Sequence, residues 1–331
     1  MRVDTIVSQF ATDVARDLQR TPKQLQSQYL YDTLGSSLFE AICRLPWYRI
    51  TRAEARLLAR HAREIAQRVV RPGSAEHTVI ELGVGSGEKL ATILEAFPAA
   101  ITPDVHLIDI SPAALDETAA RVSALPQATI VRHQGTYEQG LDGVARATRD
   151  HGGQLLLFLG SNIGNFDAPA SWDLMSRMRR SLGPGDLLLL GADLVKPVAE
   201  LILAYDDPLG VTAAFNKNLL VRINQELGGN FDLAAFDHRA IWNEAHQRVE
   251  MHLVSRKRQD VRIPAAALQT SFASGDTIWT ESSYKYTEAE IARLADRAGF
   301  AVSEQWLDSD ARFALTLLEV QGSGSNVQRS T

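Results

Sequence analysis

Residues 79–89, VIELGVGSGEK, constrain this chain more than any other stretch. Val79, Ile80 and Leu82 predict a short buried strand, and Gly83, Gly85 and Gly87 predict a sharp turn. The run EKLATIL from Glu88 then predicts a helix. In a glycine-rich strand-to-helix turn no Cβ is in the way, so main-chain N–H groups can approach a nucleoside cofactor closely. A second strand-like run, Val105-His106-Leu107-Ile108-Asp109, ends in a carboxylate 26 residues after Gly83, where it can accept both ribose hydroxyls. The turn is not a phosphate-binding P-loop, because Lys89 is not followed by Ser or Thr. It also fits the dinucleotide pattern GxGxxG poorly, since Glu88 fills the third-glycine position, which disfavours a nicotinamide-dependent oxidoreductase. Two plainer readings stay open: a turn that only joins strand to helix, and Asp109 as a helix-starting residue before Ser111-Pro112.

Composition narrows the class further. The chain has 331 residues, 45% hydrophobic and 22% charged, enough for two domains or one decorated domain. A formal charge of −6 with no long basic run argues against nucleic acid. Cys43 is the only cysteine and the eight histidines show no HxH or HxxxH spacing, so neither an intramolecular disulfide nor a metal centre is expected. No apolar run reaches the ~18 residues of a membrane span, and the first residues do not read as a secretory signal. The expectation is a cytoplasmic protein with no membrane partner and, with no hydrophobic zipper evident, a monomer.

From residue 78 the pattern alternates. Strands are expected at 78–83, 105–110, 129–134, 154–160 and 186–190, with helices near 88–97, 112–125, 138–148 and 169–182. Short all-apolar strands such as LLLFLG imply a parallel sheet covered on both faces, with ligands at the carboxyl ends of the strands where strand order reverses. Residues 52–67 read as one helix, and 8–53 as helices and loops outside the repeat. The alternation stops after Asp193. Within 196–284 the runs 201–207, 210–227 and 231–243 look helical, and 248–263 and 277–286 look like strands. Thr287-Glu288-Ala289-Glu290 offers a capping box for a helix ending at Gly299, followed by strand-like runs 301–307 and 313–320. The expected fold class is α/β. A Rossmann-like core with a mostly parallel seven-stranded sheet takes residues 54–195 and 285–320. A second α+β domain takes 8–53 and 196–284, and 321–331 form a flexible tail.

Three further places can carry chemistry. Asn165, in the loop GSNIGNF, can donate to a carboxylate or accept from an amine, and it also fits as a cap for the helix near Ala168. Glu281 and Ser283 share a strand face and can bind a polar ring with two hydrogen-bonding nitrogens, or can be a solvent-facing edge. Tyr205-Asp206-Asp207 lies in the same insertion.

With these residues in view, the chain resembles the histidine-specific Nα-methyltransferases of ergothioneine biosynthesis over residues 28–300. The resemblance rests on YDTLGSSLFEAICRLPWYRITRAEA, ELGVGSGEK, GSNIGNF, GADLVKP, AYDDPLGVTAAFNKNLL, RVEMHLVS and TESSYKY, in family order. A final helix plus two strands is also the usual ending of an S-adenosylmethionine methyltransferase fold. The resemblance implies S-adenosylmethionine as cofactor, L-histidine as substrate and three successive transfers to its α-amino nitrogen. It also implies the roles of particular residues. Gly83 and Lys89 look like cofactor contacts, Asp109 looks like the ribose acid, and Thr136 and Tyr137 fall where the family contacts the adenine. Tyr48 looks like the tyrosine near the substrate amine, with Tyr31 a weaker companion. Asn165 and Tyr205 match the residues that hold the α-amino acid group, Glu281 and Ser283 those that hold the imidazole, and Met251 an apolar wall of that pocket. The chain departs from the family pattern at Thr136 (usually an acid), Asn162 (usually threonine) and Arg49-Ile50 (usually Tyr-Pro). Other readings of the same residues are a methyltransferase for another aromatic amino acid or an indole alkaloid precursor, and a non-catalytic cofactor-binding module.

Overall fold

The computed structural model describes residues 3–74, 76–125, 129–147 and 152–322. All but the first two residues of the expected tail lie outside that range. The chain divides into two compact units, Met1–Arg49 with Lys196–Tyr284 and Ile50–Val195 with Lys285–Thr331. The helix Ile50–Val69 is one continuous piece, so residues 50–53 go with the second of these units.

That unit is built on a seven-stranded sheet. Across the sheet the strands run Phe300–Asp308, Phe313–Val320, Leu187–Asp193, Gln154–Phe158, Thr78–Leu82, Asp104–Asp109 and Thr129–Gln134. Only Phe313–Val320 is antiparallel to both of its neighbours. The strands Thr78–Leu82, Gln154–Phe158 and Leu187–Asp193 are buried at every position, which explains their predominantly apolar sequences. On one face Ile80, Leu82, Leu156, Phe158, Leu188 and Leu190 join a single core with Leu174, Met175 and Met178 of the helix Ala168–Ser181. Ile291 and Ala295 of the helix Glu288–Ala298 belong to the same core. The latter helix carries the expected capping box, with Thr287 and Glu290 bonded reciprocally, and stops at Gly299 with φ 88°. Thr78–Leu82 has parallel neighbours on both sides, Asp104–Asp109 and Gln154–Phe158, so strand order reverses at its carboxyl end. A doubly wound sheet opens a ligand crevice at this point.

The other unit is α+β. A four-stranded sheet runs Lys23–Gln24, Thr277–Tyr284, Arg248–Ser255, Phe236–Asn243, with a separate antiparallel pair Gln259–Ile263 and Leu268–Phe272. The helix Val211–Leu227 buries Phe215, Leu219, Leu220 and Ile223 and packs against Thr33–Arg44 and the sheet. Residues 231–243 correct the sequence expectation. Instead of a helix they form a short 3-10 turn, Leu233–Ala235, and then the strand Phe236–Asn243. Alanine-rich composition hides a two-residue alternation in which Phe236 and Ala240 are buried and Asp237, Arg239 and Ile241 are exposed. Pairing with Arg248–Ser255 decides the outcome. The strand Leu268–Phe272 has too short and mixed a pattern to be read from sequence.

Gly140 lets the helix Tyr137–Ala147 lie directly on the sheet, because an added Cβ would stand 2.3 Å from Ile108 Cγ2. Gly140→Ala is therefore expected to destabilise the protein by about 1–3 kcal/mol, as overpacked cores do, despite alanine's higher helix propensity. A lowered urea midpoint checks this, and an unchanged midpoint contradicts it.

Candidate active site

At the carboxyl end of the seven-stranded sheet the turn after Thr78–Leu82 needs its glycines for two different reasons. Gly83, Gly85 and Gly87 have φ of 75°, 53° and 74°, a region costly for side-chain-bearing residues. Gly83 is also crowded, because a Cβ there would come 2.8 Å from Asn162 Nδ2 and 2.9 Å from the Tyr137 hydroxyl. Gly85 faces open space, with nothing within 4 Å of its Cβ position.

Asp109 ends the neighbouring strand, and its carboxylate ties the two segments together. It accepts from Val84 N–H at 3.0 Å and from Ser111 N–H at 2.8 Å. Burial raises its pKa, and these backbone bonds oppose the rise. Ser111 rather than Asp109 caps the helix Pro112–Ser123, with Oγ accepting from Ala114 N–H. Thr136 Oγ1 accepts from Gln139 N–H and Gln139 Oε1 accepts from Thr136 N–H, so this departure from the family acid serves as a helix cap. Tyr137 packs edge-on to Phe158 at 5.4 Å, and burial raises the pKa of its hydroxyl, with Asp109 and Glu138 adding to the rise. Asn165 closes the short turn Asn162–Asn165. The cap of the helix Ala168–Ser181 is Asp167, accepting from Ala170 N–H, so the capping reading of Asn165 falls away.

Two acids that sequence reasoning passed over stand beside these residues. Glu54, on Ile50–Val69, is fully buried, accepts from Gly160 N–H at 2.8 and 2.9 Å through its two oxygens, and pairs with Lys89. Glu81 is also buried, and its Oε2 has no hydrogen-bond partner. Burial pushes its pKa up to about 8, Lys89 acts against the rise, and Glu54 and Asp109 reinforce it. Glu54 sits in a helix whose pattern announced only amphipathicity, and Glu81 in a strand whose neighbours are all apolar.

The α+β unit gathers Tyr48, Tyr205, Met251, Glu281 and Ser283. Across the sheet Ala240 pairs with Met251, which pairs with Glu281. One step along, Trp242 pairs with Val249, which pairs with Ser283. Residues directly opposite in a ladder share a face, so Met251, Glu281 and Ser283 lie together. Ser283 is buried, not edge-exposed, and shares a 2.8 Å hydrogen bond with the Tyr205 hydroxyl. Tyr205 and Tyr48 are both buried and meet edge to face at 6.1 Å. Phe39 touches Tyr48, Tyr31 and Phe215, extending the group into an aromatic cluster. Aromatic faces of this kind attract a cationic amine. Phe39 and Phe215 were not singled out from sequence, where they look like ordinary core residues. The main chain of Tyr205 is held by His238, whose Nε2 donates to the Tyr205 carbonyl at 2.8 Å while Nδ1 accepts from Asn216 Nδ2 at 2.9 Å. Burial lowers the His238 pKa, in keeping with the neutral ring this arrangement needs. Arg49, one of the departures, pairs with Glu200 at 3.7 Å on the surface.

An open glycine turn and an acid at the end of the adjacent strand fit a nucleoside cofactor. With one antiparallel strand set into an otherwise parallel seven-stranded sheet, they define the class of S-adenosylmethionine-dependent methyltransferases. Residues 10–320 match the family model for "Histidine-specific methyltransferase, SAM-dependent", and the chain belongs to that family. It is 38% identical over 320 residues to the histidine N-alpha-methyltransferase of Mycolicibacterium smegmatis, covering 96% of this chain and 97% of that protein. It is also 38% identical over 308 residues to the Mycobacterium tuberculosis protein of the same name, covering 92% and 93%. Ergothioneine biosynthesis protein 1 of Neurospora crassa is 30% identical over 290 residues, covering 86% of this chain and 32% of that protein. The chain is thus an S-adenosylmethionine-dependent histidine methyltransferase acting on a small molecule. Among the described residues no helix is long and apolar enough to cross a membrane.

The Glu81 carboxyl gives a pH dependence with a definite sign. Its folded-state pKa of about 8 lies above the ordinary 4.5, so the folded protein holds this proton more tightly than the unfolded chain does. The resulting stability is fully present below pH 4.5 and is lost as pH rises through about 8. Glu81→Gln is expected to flatten the decline in melting temperature of the ligand-free protein between pH 5 and 8. A slope equal to that of the wild type contradicts the assignment.

Proposed function

We propose that this protein, as a cytoplasmic monomer, carries out three successive methyl transfers to the α-amino nitrogen of L-histidine. The product is the trimethylated betaine hercynine, a precursor in ergothioneine biosynthesis. The observation that carries the reading is the set of side chains gathered on one sheet face of the α+β unit. Glu281 and Ser283 offer a carboxylate and a hydroxyl to an imidazole, Met251 offers an apolar wall, and the Tyr205 hydroxyl is bonded to Ser283.

S-adenosylmethionine, when bound, supplies an electrophilic methyl group on a sulfonium sulfur. Gly83, Lys89, Asp109, Thr136 and Tyr137 are the residues proposed to hold it, with Thr136 contributing its hydroxyl proton, because its main-chain N–H and carbonyl are engaged with Gln139 and Gly140. Asn165 and Tyr205 are proposed to hold the α-amino acid group and Tyr48 to orient the amine. Displacement at carbon needs a neutral nitrogen in line with the methyl group, and an α-amino group with a reference pKa near 8 is mostly protonated at neutral pH. Orientation is the main contribution asked of these residues, an effect that can be worth ~7–11 kcal/mol. The aromatic rings of Tyr31, Phe39 and Tyr48 suit successive methylation, because they stabilise a cation without requiring N–H donors that disappear as methyl groups are added. Specificity is proposed to follow from the polar pair, since an indole or phenyl ring offers no match to both the Glu281 carboxylate and the Ser283 hydroxyl.

Mass spectrometry of the protein incubated with S-adenosylmethionine and, separately, histidine, tryptophan, tyrosine or phenylalanine tests this directly. The expected product is histidine carrying three added methyl groups, with none from the other three. Methylation of another amino acid instead overturns the imidazole reading. Glu281→Ala is expected to weaken histidine binding at least tenfold while leaving cofactor affinity within twofold, measured by calorimetry. Equal losses in both contradict its role.

A further inference from the structure

We infer that Glu54 is a positioning residue for cofactor binding, holding the Lys89 ammonium and the Gly160 main chain in one fixed arrangement. The inference rests on the assignment of Lys89 to the cofactor and extends it to a residue on a separate helix. The Glu54 carboxylate is fully buried, and a buried charge is tolerated only where it is closely paired. Here both oxygens accept from Gly160 N–H and one of them pairs with Lys89. The backbone is shaped to admit the group. A Cβ on Gly191 would lie 2.1 Å from Glu54 Oε1, and Gly160 has φ 74° with its Cβ position 3.4 Å from Lys89 Nζ.

Three segments meet at this carboxylate. Lys89 lies on the helix that follows the glycine turn, Gly160 follows the strand Gln154–Phe158, and Gly191 lies in Leu187–Asp193. Apolar residues in place of both Glu54 and Lys89 would hold these segments about as firmly, since a buried ion pair is a weak source of stability. What the carboxylate adds is a fixed direction for the lysine. The rest of the loop has separate ties, because Ser161 Oγ accepts from Asp193 N–H at 2.9 Å and the Tyr286 hydroxyl donates to the Ile163 carbonyl at 3.3 Å. Loss of the Glu54 charge should therefore disturb Lys89 and Gly160 and spare the turn that carries Asn165.

The test is calorimetric titration of S-adenosylhomocysteine into the wild type, Glu54→Gln, Gly191→Ala, Lys89→Met and the double variant Glu54→Gln/Lys89→Met, with Michaelis constants for both substrates. Glu54→Gln keeps an acceptor for Gly160 and removes the charge. Gly191→Ala displaces the carboxylate without changing charge, and the double variant removes both charges together. The expected result is a ten- to hundredfold loss of cofactor affinity in Glu54→Gln and in Gly191→Ala. The Michaelis constant for S-adenosylmethionine should rise to match, and that for histidine should stay within twofold. The double variant should bind no more than twofold more weakly than Lys89→Met alone. Lys89→Met weakened with Glu54→Gln and Gly191→Ala unaffected overturns the inference and leaves the cofactor assignment standing. Independent, multiplying losses in the double variant also overturn it. Full affinity in Lys89→Met refutes the assignment of Lys89 and the inference with it. If Glu54→Gln fails to fold, Gly191→Ala and the double variant decide.

Discussion

A parallel sheet buried on both faces can show polar chemistry only at its ends, and at the carboxyl end of this one the buried Glu54 carboxylate and its partner Lys89 organise much of what is shown. Lys89 neutralises Glu54 in a setting where the buried carboxylate alone would be strongly disfavoured. Their partner Gly160 begins the loop that leads to Asn165, and Glu81 stands near enough for its proton affinity to depend on both. Main-chain N–H donors tie the site together: the loop after the fourth strand of the repeat donates Gly160 N–H to Glu54, and Val84 of the glycine turn donates to Asp109 on the next strand.

The α+β unit solves a different problem. A pocket for a small zwitterion with an aromatic ring needs rigid apolar walls and a few directed hydrogen bonds. Tyr48, Tyr205, Phe39 and Phe215 form a cluster through edge-to-face and tilted contacts that fix ring orientation, the walls of the proposed pocket. The polar part is spare and interlocked. Ser283 is joined to Tyr205, and His238 and Asn216 fix the main chain of Tyr205 from behind.

Much of this was legible in the sequence wherever the signal was local. The glycine turn, Asp109, the Thr287 capping box and the alternation of apolar strands with helices depend on neighbours a few residues apart, and they stand in the structure within one to three residues of where the pattern puts them. Asn165 is ambiguous in sequence because Asp167 two residues on can cap the same helix, and in the structure Asp167 does. The strand Phe236–Asn243 was misread because its partner, not its composition, makes it a strand. Glu54 was invisible for a related reason, since its partners Gly160 and Lys89 are distant in sequence and nothing in a helix of alternating charge and leucine marks one acid as buried. The aromatic contacts of Phe39 and Phe215 are likewise products of packing between separate elements.

That the α+β unit reads the substrate through both nitrogens of an imidazole ring can be tested most directly with ring-methylated histidines. Calorimetric titration of L-histidine, Nτ-methylhistidine and Nπ-methylhistidine into the protein saturated with S-adenosylhomocysteine compares ligands that differ in one ring methyl group and in which ring nitrogen can still hydrogen-bond. Recognition by Glu281 and Ser283 together predicts that each ring methyl group weakens binding at least tenfold relative to histidine. Equal affinity for all three ligands would contradict it.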